Sequence, residues 1–253
     1  MSSASKLLVL RAIGKLVKQP VAPLMGFAMS VFFLVVYNAG IGGIGYLPEF
    51  GDGGYLAFIF PITIISLAMG SSAGAGQTLN ADMQSGYLKR LYLTPVPRWV
   101  LVMAPMTADV ISSVLFTGIL ILIGLLFGVT FQFGILSILG VLLLSLLWSV
   151  SLCGFTAGVM LRTGKYQSAS IVTNAVFPLL FISTTFLPRE LIHSKWLLTA
   201  SWFNPVTYIL EANRYLIAGT SSKVFFVAGL SLLLVTSVIS VVFSLLSSRK
   251  IKV

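Results

Sequence analysis

Six apolar runs constrain this chain most, each near the roughly 20 residues that cross the hydrocarbon core of a bilayer. They lie near residues 24–44, 55–75, 105–128, 135–161, 170–187 and 224–246. In hydrocarbon every backbone N–H and C=O must find its partner within the structure, so these runs read as helices rather than open strands. The connections between them are short: residues 45–54 with Pro48, Glu49 and Asp52, a turn near 130–134, a basic loop from Arg162 to Tyr166, and a basic tail at 247–253. With 57% hydrophobic and 9% charged residues and a mean hydropathy of +1.03, a water-soluble globule of 253 residues could not cover its apolar surface. The expected fold class is an all-α integral membrane protein with six transmembrane helices.

Residues 1–22 are predicted to lie on the membrane rather than in it. Arg11, Lys15 and Lys18 share one helical face, and Val9, Leu10, Ile13, Leu16 and Val17 share the other. That pattern is an amphipathic helix in the headgroup layer, with its cations toward lipid phosphates. A secretory signal fits less well, because the run from Leu24 to Ile44 exceeds an h-region of about 7–15 residues and no clear A-x-A site follows.

The net charge of +10 would suggest nucleic acid in a soluble protein. Here the cations stand beside span ends, so topology explains them and no nucleic-acid partner is expected. With both termini inside, twelve cations are inner: Lys6, Arg11, Lys15, Lys18, Lys89, Arg90, Arg98, Arg162, Lys165, Arg249, Lys250 and Lys252. Four are outer, Arg189, Lys195, Arg214 and Lys223, which completes the 16 Lys and Arg. The positive-inside rule therefore predicts cytoplasmic termini and a cytoplasmic loop at 77–99.

That loop, QTLNADMQSGYLKRLYLTPVPRW from Gln77 to Trp99, is the one long polar connection. Gly86, Lys89, Arg90 and the later Pro95 and Pro97 predict a short helix from near Ser85 to before Thr94. Leu88, Leu91 and Tyr92 give it an apolar stripe beside the basic one. A second interrupted stretch, Pro188–Gly219, is broken by Pro188, Asn204-Pro205 and Gly219, and carries the interface-favouring Trp196, Trp202 and Tyr208. Within it, Val206 to Ala218 can form a helix that sets Glu211 and Arg214 at i,i+3.

No catalytic constellation assembles. His193, the only histidine, is on the outer side and Asp109 near the inner leaflet, so a Ser-His-Asp arrangement would have to bridge most of the membrane. Lone His193 and Cys153 lie in different regions, which argues against a metal site, and one cysteine excludes an intrachain disulfide. Gly14-Lys15 and Gly164-Lys165 lack the rest of G-x-x-x-x-G-K-[ST], and Ser71–Gln77 ends an apolar span rather than following a nucleotide-binding strand. Gly70 and Gly74, with Ser66 and Ser72, instead have small-xxx-small spacing for close helix packing. Asp109 has two readings: a functional carboxylate inside the membrane, or an interfacial one paired with Arg162 or Arg98. The fifth run carries Asn174, Pro178, Ser183, Thr184 and Thr185, which either bond neighbouring helices or line a cavity.

Gly86, Leu88-Lys89-Arg90-Leu91 and Thr94-Pro95-Val96 resemble the first cytoplasmic loop of the ABC-2 (type V exporter) permeases. Phe203–Gly219, FNPVTYILEANRYLIAG, is similar to that family's signature before its last span. At the position just before the loop glycine, where the family often has an acid, this chain has Gln84-Ser85. The resemblance implies one transmembrane domain over 1–253, with an interfacial helix at 1–22, a coupling loop at 77–99 and re-entrant helices at 188–219. It implies that Gly86, Tyr87, Leu88, Lys89, Arg90, Leu91, Thr94 and Pro95 couple to a separate cytosolic ATPase, two copies per complex, which binds the ATP and Mg. It also implies a second permease subunit, expected to be identical, in a bacterial or archaeal plasma membrane.

The family's second and fifth spans line its substrate path, which makes Ser66, Gly70, Asn174, Phe177, Phe181 and Thr184 path candidates. Asn204, Pro205, Glu211 and Arg214 become a re-entrant network. The implied function is export of a hydrophobic or amphipathic drug, antimicrobial or lipid. Two alternatives stand beside it: a permease for a polyprenyl-linked glycan, and a non-transporting membrane scaffold or sensor.

The cation count yields a labelling test. In a Cys153→Ser background, cysteines at Ser85 and Ser248 are expected to resist a membrane-impermeant thiol reagent in intact cells, and cysteines at Asp52 and Ser194 to react. Labelling of Ser85→Cys from outside would reverse the orientation.

Overall fold

The computed structural model describes residues 10–14, 21–50, 53–87, 90 and 97–249, and every regular element among them is helical. The helices are α1 (Val21–Ile41), α2 (Gly54–Gln84), α3 (Arg98–Leu126), α4 (Ile135–Thr163), α5 (Tyr166–Asn174), α6 (Val176–Phe181), α7 (Lys195–Phe203), α8 (Pro205–Ile217) and α9 (Lys223–Ser248). Residues 10–14, Tyr87 and Arg90 are also helical. Short 3-10 turns occupy Gly42–Ile44, Pro48–Phe50 and Arg189–Leu191.

Among the described residues, four helices are long and apolar enough to cross a membrane: Pro48–Gln84, Val102–Leu126, Ile135–Thr163 and Lys223–Ser248. Leu24–Gly40 of α1 is a shorter apolar helix. The expected run at 170–187 is not one continuous helix, because α5 and α6 are interrupted at Ala175. Pro178 is the physical reason. It has no N–H to offer the Asn174 carbonyl, and its ring crowds that same carbonyl, so the regular ladder stops where α5 ends.

Helix α2 is the axis of the bundle. Its most apolar stretch is 78% buried, against 33% for α3 and 22% for α9, so α2 is enclosed while the others present one face outward. It packs on α1, α3, α4, α5 and α8. Tyr55, Phe58, Phe60, Ile62 and Ile65 of α2 meet Leu120, Leu144, Ile209 and Leu216 in the main core. Leu115, Ile119 and Leu122 of α3, Leu139 and Leu143 of α4, and Val235, Val238 and Val242 of α9 point outward. In water those faces would be costly; lipid or another membrane subunit covers such surfaces without cost.

Inside the bundle small residues and hydroxyls replace bulk. Thr117 and Ser145 are 2.8 Å apart, Ser149 donates to Ser113 at 2.6 Å, and Ser237 donates to the Leu147 carbonyl at 2.8 Å. These bonds tie α3 to α4 and α4 to α9, in a place where neither water nor lipid offers a partner. The α4–α9 contact is the most extensive of the fold and depends on glycine. A Cβ on Gly154 would lie 2.8 Å from the Ser240 carbonyl carbon, and one on Gly158 would fall within the Phe243 ring's contact radius.

Gly154→Ala is therefore expected to push α4 and α9 apart and to destabilise the protein by about 1–3 kcal/mol, the usual range for overpacking. Thermal unfolding in detergent checks this, and an unchanged midpoint would mean the two backbones can separate freely.

Candidate functional site

The Asn-Pro pair that opens α8 sets one end of the structure. Asn204 caps the helix, its Oδ1 accepting from the Val206 N–H at 3.0 Å, and Pro205 occupies the first turn, where its missing N–H costs nothing. The Asn204 amide Nδ2 also donates to the Leu179 carbonyl at 2.6 Å. Leu179 is in the last turn of α6, where carbonyls have no intrahelical donor. One side chain thus starts α8 and ends α6.

Two turns along α8, Arg214 is 1% exposed, so its charge must be met entirely by protein. Nη1 donates to Glu211 Oε1 at 2.8 Å and to Thr184 Oγ1 at 3.1 Å. Nη2 donates to the carbonyls of Thr184 at 2.6 Å and Thr185 at 3.0 Å, and Nε to the Phe58 carbonyl at 3.2 Å. The guanidinium plane lies 3.6 Å from the Phe58 ring centroid. Thr184 in turn donates to Glu211 Oε1 at 2.7 Å. The network joins α8, α2 and residues 182–187, an irregular segment whose carbonyls would otherwise be unpaired.

Of the predicted residues, the structure brings Asn204, Pro205, Glu211 and Arg214 to this end, and Thr184 with them. Thr185, one of the polar residues singled out in the fifth run, joins them through its carbonyl, while Phe58 and Leu179 are neighbours that sequence reasoning missed. Phe58 and Leu179 contribute backbone carbonyls, which no side-chain pattern announces. A cleft of 630 Å³ opens beside the end of α8, with Glu49, Gln132, Glu190 and Thr220 in its wall.

At its C-terminal end α2 finishes at Gln84, and Gly86 turns the chain with φ +68°, a value that glycine adopts without strain. The Arg90 N–H then donates to the Gly86 carbonyl at 3.2 Å, one helical turn on. Leu88, Lys89, Leu91, Thr94 and Pro95 lie outside the described residues. Arg11, expected to face lipid phosphates, instead pairs with Asp82 at 3.2 Å and lies 3.6 Å from the Tyr87 ring centroid. Gln77 Nε2 donates to the Tyr166 hydroxyl at 3.0 Å, which ties α2 to the first residue of α5.

The remaining path candidates do not share one surface. Ser66 is buried within α2, and a Cβ on Gly26 would come within 3.0 Å of the Gly70 Cα, so Gly70 faces α1. Asn174 is exposed at the end of α5. Phe177 and Phe181 are 39% and 48% exposed, open enough to meet another molecule. They begin an aromatic ladder: Phe177–Phe181 at 5.3 Å, Phe181–Phe186 at 5.4 Å, Phe186–Tyr37 at 4.6 Å and Tyr37–Phe33 at 5.7 Å. Offset ring contacts of this kind carry attraction beyond their area.

Asp109 is 2% exposed, and Arg162, one of the two partners expected for it, is engaged elsewhere. Arg162 donates instead to Ser247 at 3.0 Å and stacks over Phe243. The carboxylate fits against Gly74, where a Cβ would stand 2.8 Å from Oδ1. Cys153 is fully buried and His193 exposed, and no described group of three or more metal-binding side chains gathers.

Comparison with known proteins adds the lineage. The family model described as ABC-2 type transporter matches residues 4–218. The chain is 24% identical over 225 residues to the ycf38 protein of Cyanophora paradoxa, named as a transport permease, covering 85% of this chain and 74% of that one. It is 25% identical over 196 residues to the daunorubicin resistance ABC transporter permease protein DrrB1 of Streptomyces coeruleorubidus, 76% of this chain and 67% of that one. It is 23% identical over 186 residues to DrrC of Mycobacterium tuberculosis, named for doxorubicin resistance, 74% and 66% of the two chains.

The Arg214 network makes a strong demand on its members. Arg214→Ala would leave Glu211 buried without its cation and is expected to cost roughly 3–5 kcal/mol, far more than an exposed pair. Thermal stability in detergent reads this loss, and near-wild-type stability would reduce the pair to a solvated surface contact.

Proposed function

The chain belongs to the ABC-2 type transporter family, and from that premise we propose that it is the membrane half of an ATP-driven exporter. It is a multi-pass membrane protein of a transport-permease family. In the proposed arrangement, α1 and the α5–α6 pair complete a set of six spans with the four long helices. Residues 1–22 lie in the inner headgroup layer, and α7 and α8 re-enter the outer leaflet. Irregular backbone at membrane depth survives only when protein satisfies it, and the Arg214 bonds to the Thr184 and Thr185 carbonyls support that reading.

Two such permeases, identical in the simplest form, pair around a central path, with one cytosolic ATPase beneath each. ATP and Mg belong to the ATPase. ATP binding closes the two ATPases, and the loop after α2 passes that motion to the spans as a rigid-body shift. The observation that carries the reading is the inner end of α2: the most enclosed helix of the bundle runs directly into the polar, amphipathic connection. A displacement applied there reaches α1, α3, α4, α5 and α8 through contacts already packed.

The substrate class is a hydrophobic or amphipathic molecule. The exposed Phe177 and Phe181 at the head of the aromatic ladder support it, since they offer an apolar wall to such a ligand. Two relatives named for resistance to daunorubicin and doxorubicin support it as well.

Leu88 and Leu91 put the coupling role to the test. Leucines exposed on a cytoplasmic loop cost hydrophobic free energy unless a partner covers them. Leu88→Asp or Leu91→Asp is expected to abolish co-purification of the ATPase and substrate-stimulated ATP hydrolysis, while the permease still inserts and folds. Lys89→Ala should weaken association mildly and in a salt-dependent way, as a rim charge does. An intact, stimulated complex in both leucine variants would falsify the coupling assignment.

A further inference from the structure

We propose that Arg11 is a positioning residue for the loop that engages the ATPase, fixing it to the N-terminal helix so that the two move as one body. The inference rests on the coupling role given to that loop above. One guanidinium makes both contacts: Nη2 lies 3.2 Å from Asp82 Oδ1, and the guanidinium carbon lies 3.6 Å from the Tyr87 ring centroid. Asp82 belongs to the last turn of α2, and Tyr87 is the first residue beyond Gly86. The arginine therefore spans the turn from the helix to the loop.

That turn needs such a brace. Gly86 is at φ +68°, and among the described residues nothing packs within 4 Å of the position a Cβ would take, so the glycine adds no side-chain contact to hold the turn. Upstream, α2 is already held by the Gln77–Tyr166 hydrogen bond and by the Tyr166 ring, which comes within 3.4 Å of a Cβ placed on Gly76. Motion delivered to the loop would be taken up by the glycine hinge unless a contact crosses it. Arg11 supplies that contact from a different segment, residues 10–14.

The residue type matters. A guanidinium donates in its plane to a carboxylate while its face lies on a ring, and an ammonium has no such plane. The Asp82 side chain is only 14% exposed, so the pair is partly shielded from the screening that makes exposed ion pairs weak.

Charge exchange tests the proposal in the reconstituted permease–ATPase complex. Arg11→Asp and Asp82→Arg are each expected to lower substrate-stimulated ATP hydrolysis about tenfold, and the double variant to recover most of it, as contacting residues do in a double-mutant cycle. Arg11→Lys, a milder variant against loss of folding, and Tyr87→Leu should each give a loss of about threefold, the scale of a single weakened contact. ATPase co-purification should persist in all of them, because the loop's own leucines remain. Single variants that hydrolyse ATP like wild type, or a double variant as impaired as the singles, would overturn the role of Arg11; the second result would return its charge to lipid phosphates. A wild-type permease that recruits no ATPase would overturn the coupling reading itself, which keeps the two failures apart.

Discussion

A fully buried guanidinium is the constraint on which the α8 end of this protein depends. Desolvating a cation costs several kcal/mol unless each face and edge of it is met, and Arg214 meets that requirement with five hydrogen bonds and an aromatic ring. The carboxylate comes from the same helix, the Phe58 carbonyl and ring from α2, and the remaining acceptors from the irregular segment after α6. Removing any of these strands the others. The irregular segment persists because its carbonyls are used, and α8 keeps its place because its arginine is anchored.

The rest of the bundle follows a different rule. Between membrane helices burial gains little from hydrophobicity, since lipid tails are as apolar as leucine; close approach and hydroxyl bonds must hold the helices instead. Gly154 and Gly158 let α9 lie directly on α4, and Ser113, Ser149, Ser145 and Thr117 join α3 to α4. Large side chains also face outward on α3, α4 and α9, where lipid or another subunit can cover them. Burial is concentrated along α2.

Much of this was legible in the sequence because it was written in side chains of fixed spacing. Run length gave the long helices, Asn204-Pro205 the start of α8, and the i,i+3 spacing the Glu211–Arg214 pair. What stayed hidden has physical causes. Pro178 was visible, yet whether a proline kinks a span or divides it depends on what satisfies the freed carbonyl. Phe58 and Leu179 contribute backbone oxygens, and every residue has one. Arg11 looked like a lipid contact because three basic residues shared a helical face; its partner Asp82 stands 71 positions away. Asp109 had two readings from its place in the run, and only the structure shows the glycine against which its carboxylate fits.

Order of synthesis gives the Arg214 network a further meaning. Phe58 is made 156 residues before the arginine that binds its carbonyl, and Thr184 is made 30 residues before it. The acceptors are therefore synthesised before their donor, and the Thr184 and Thr185 carbonyls can be met by Arg214 only once α8 has been made.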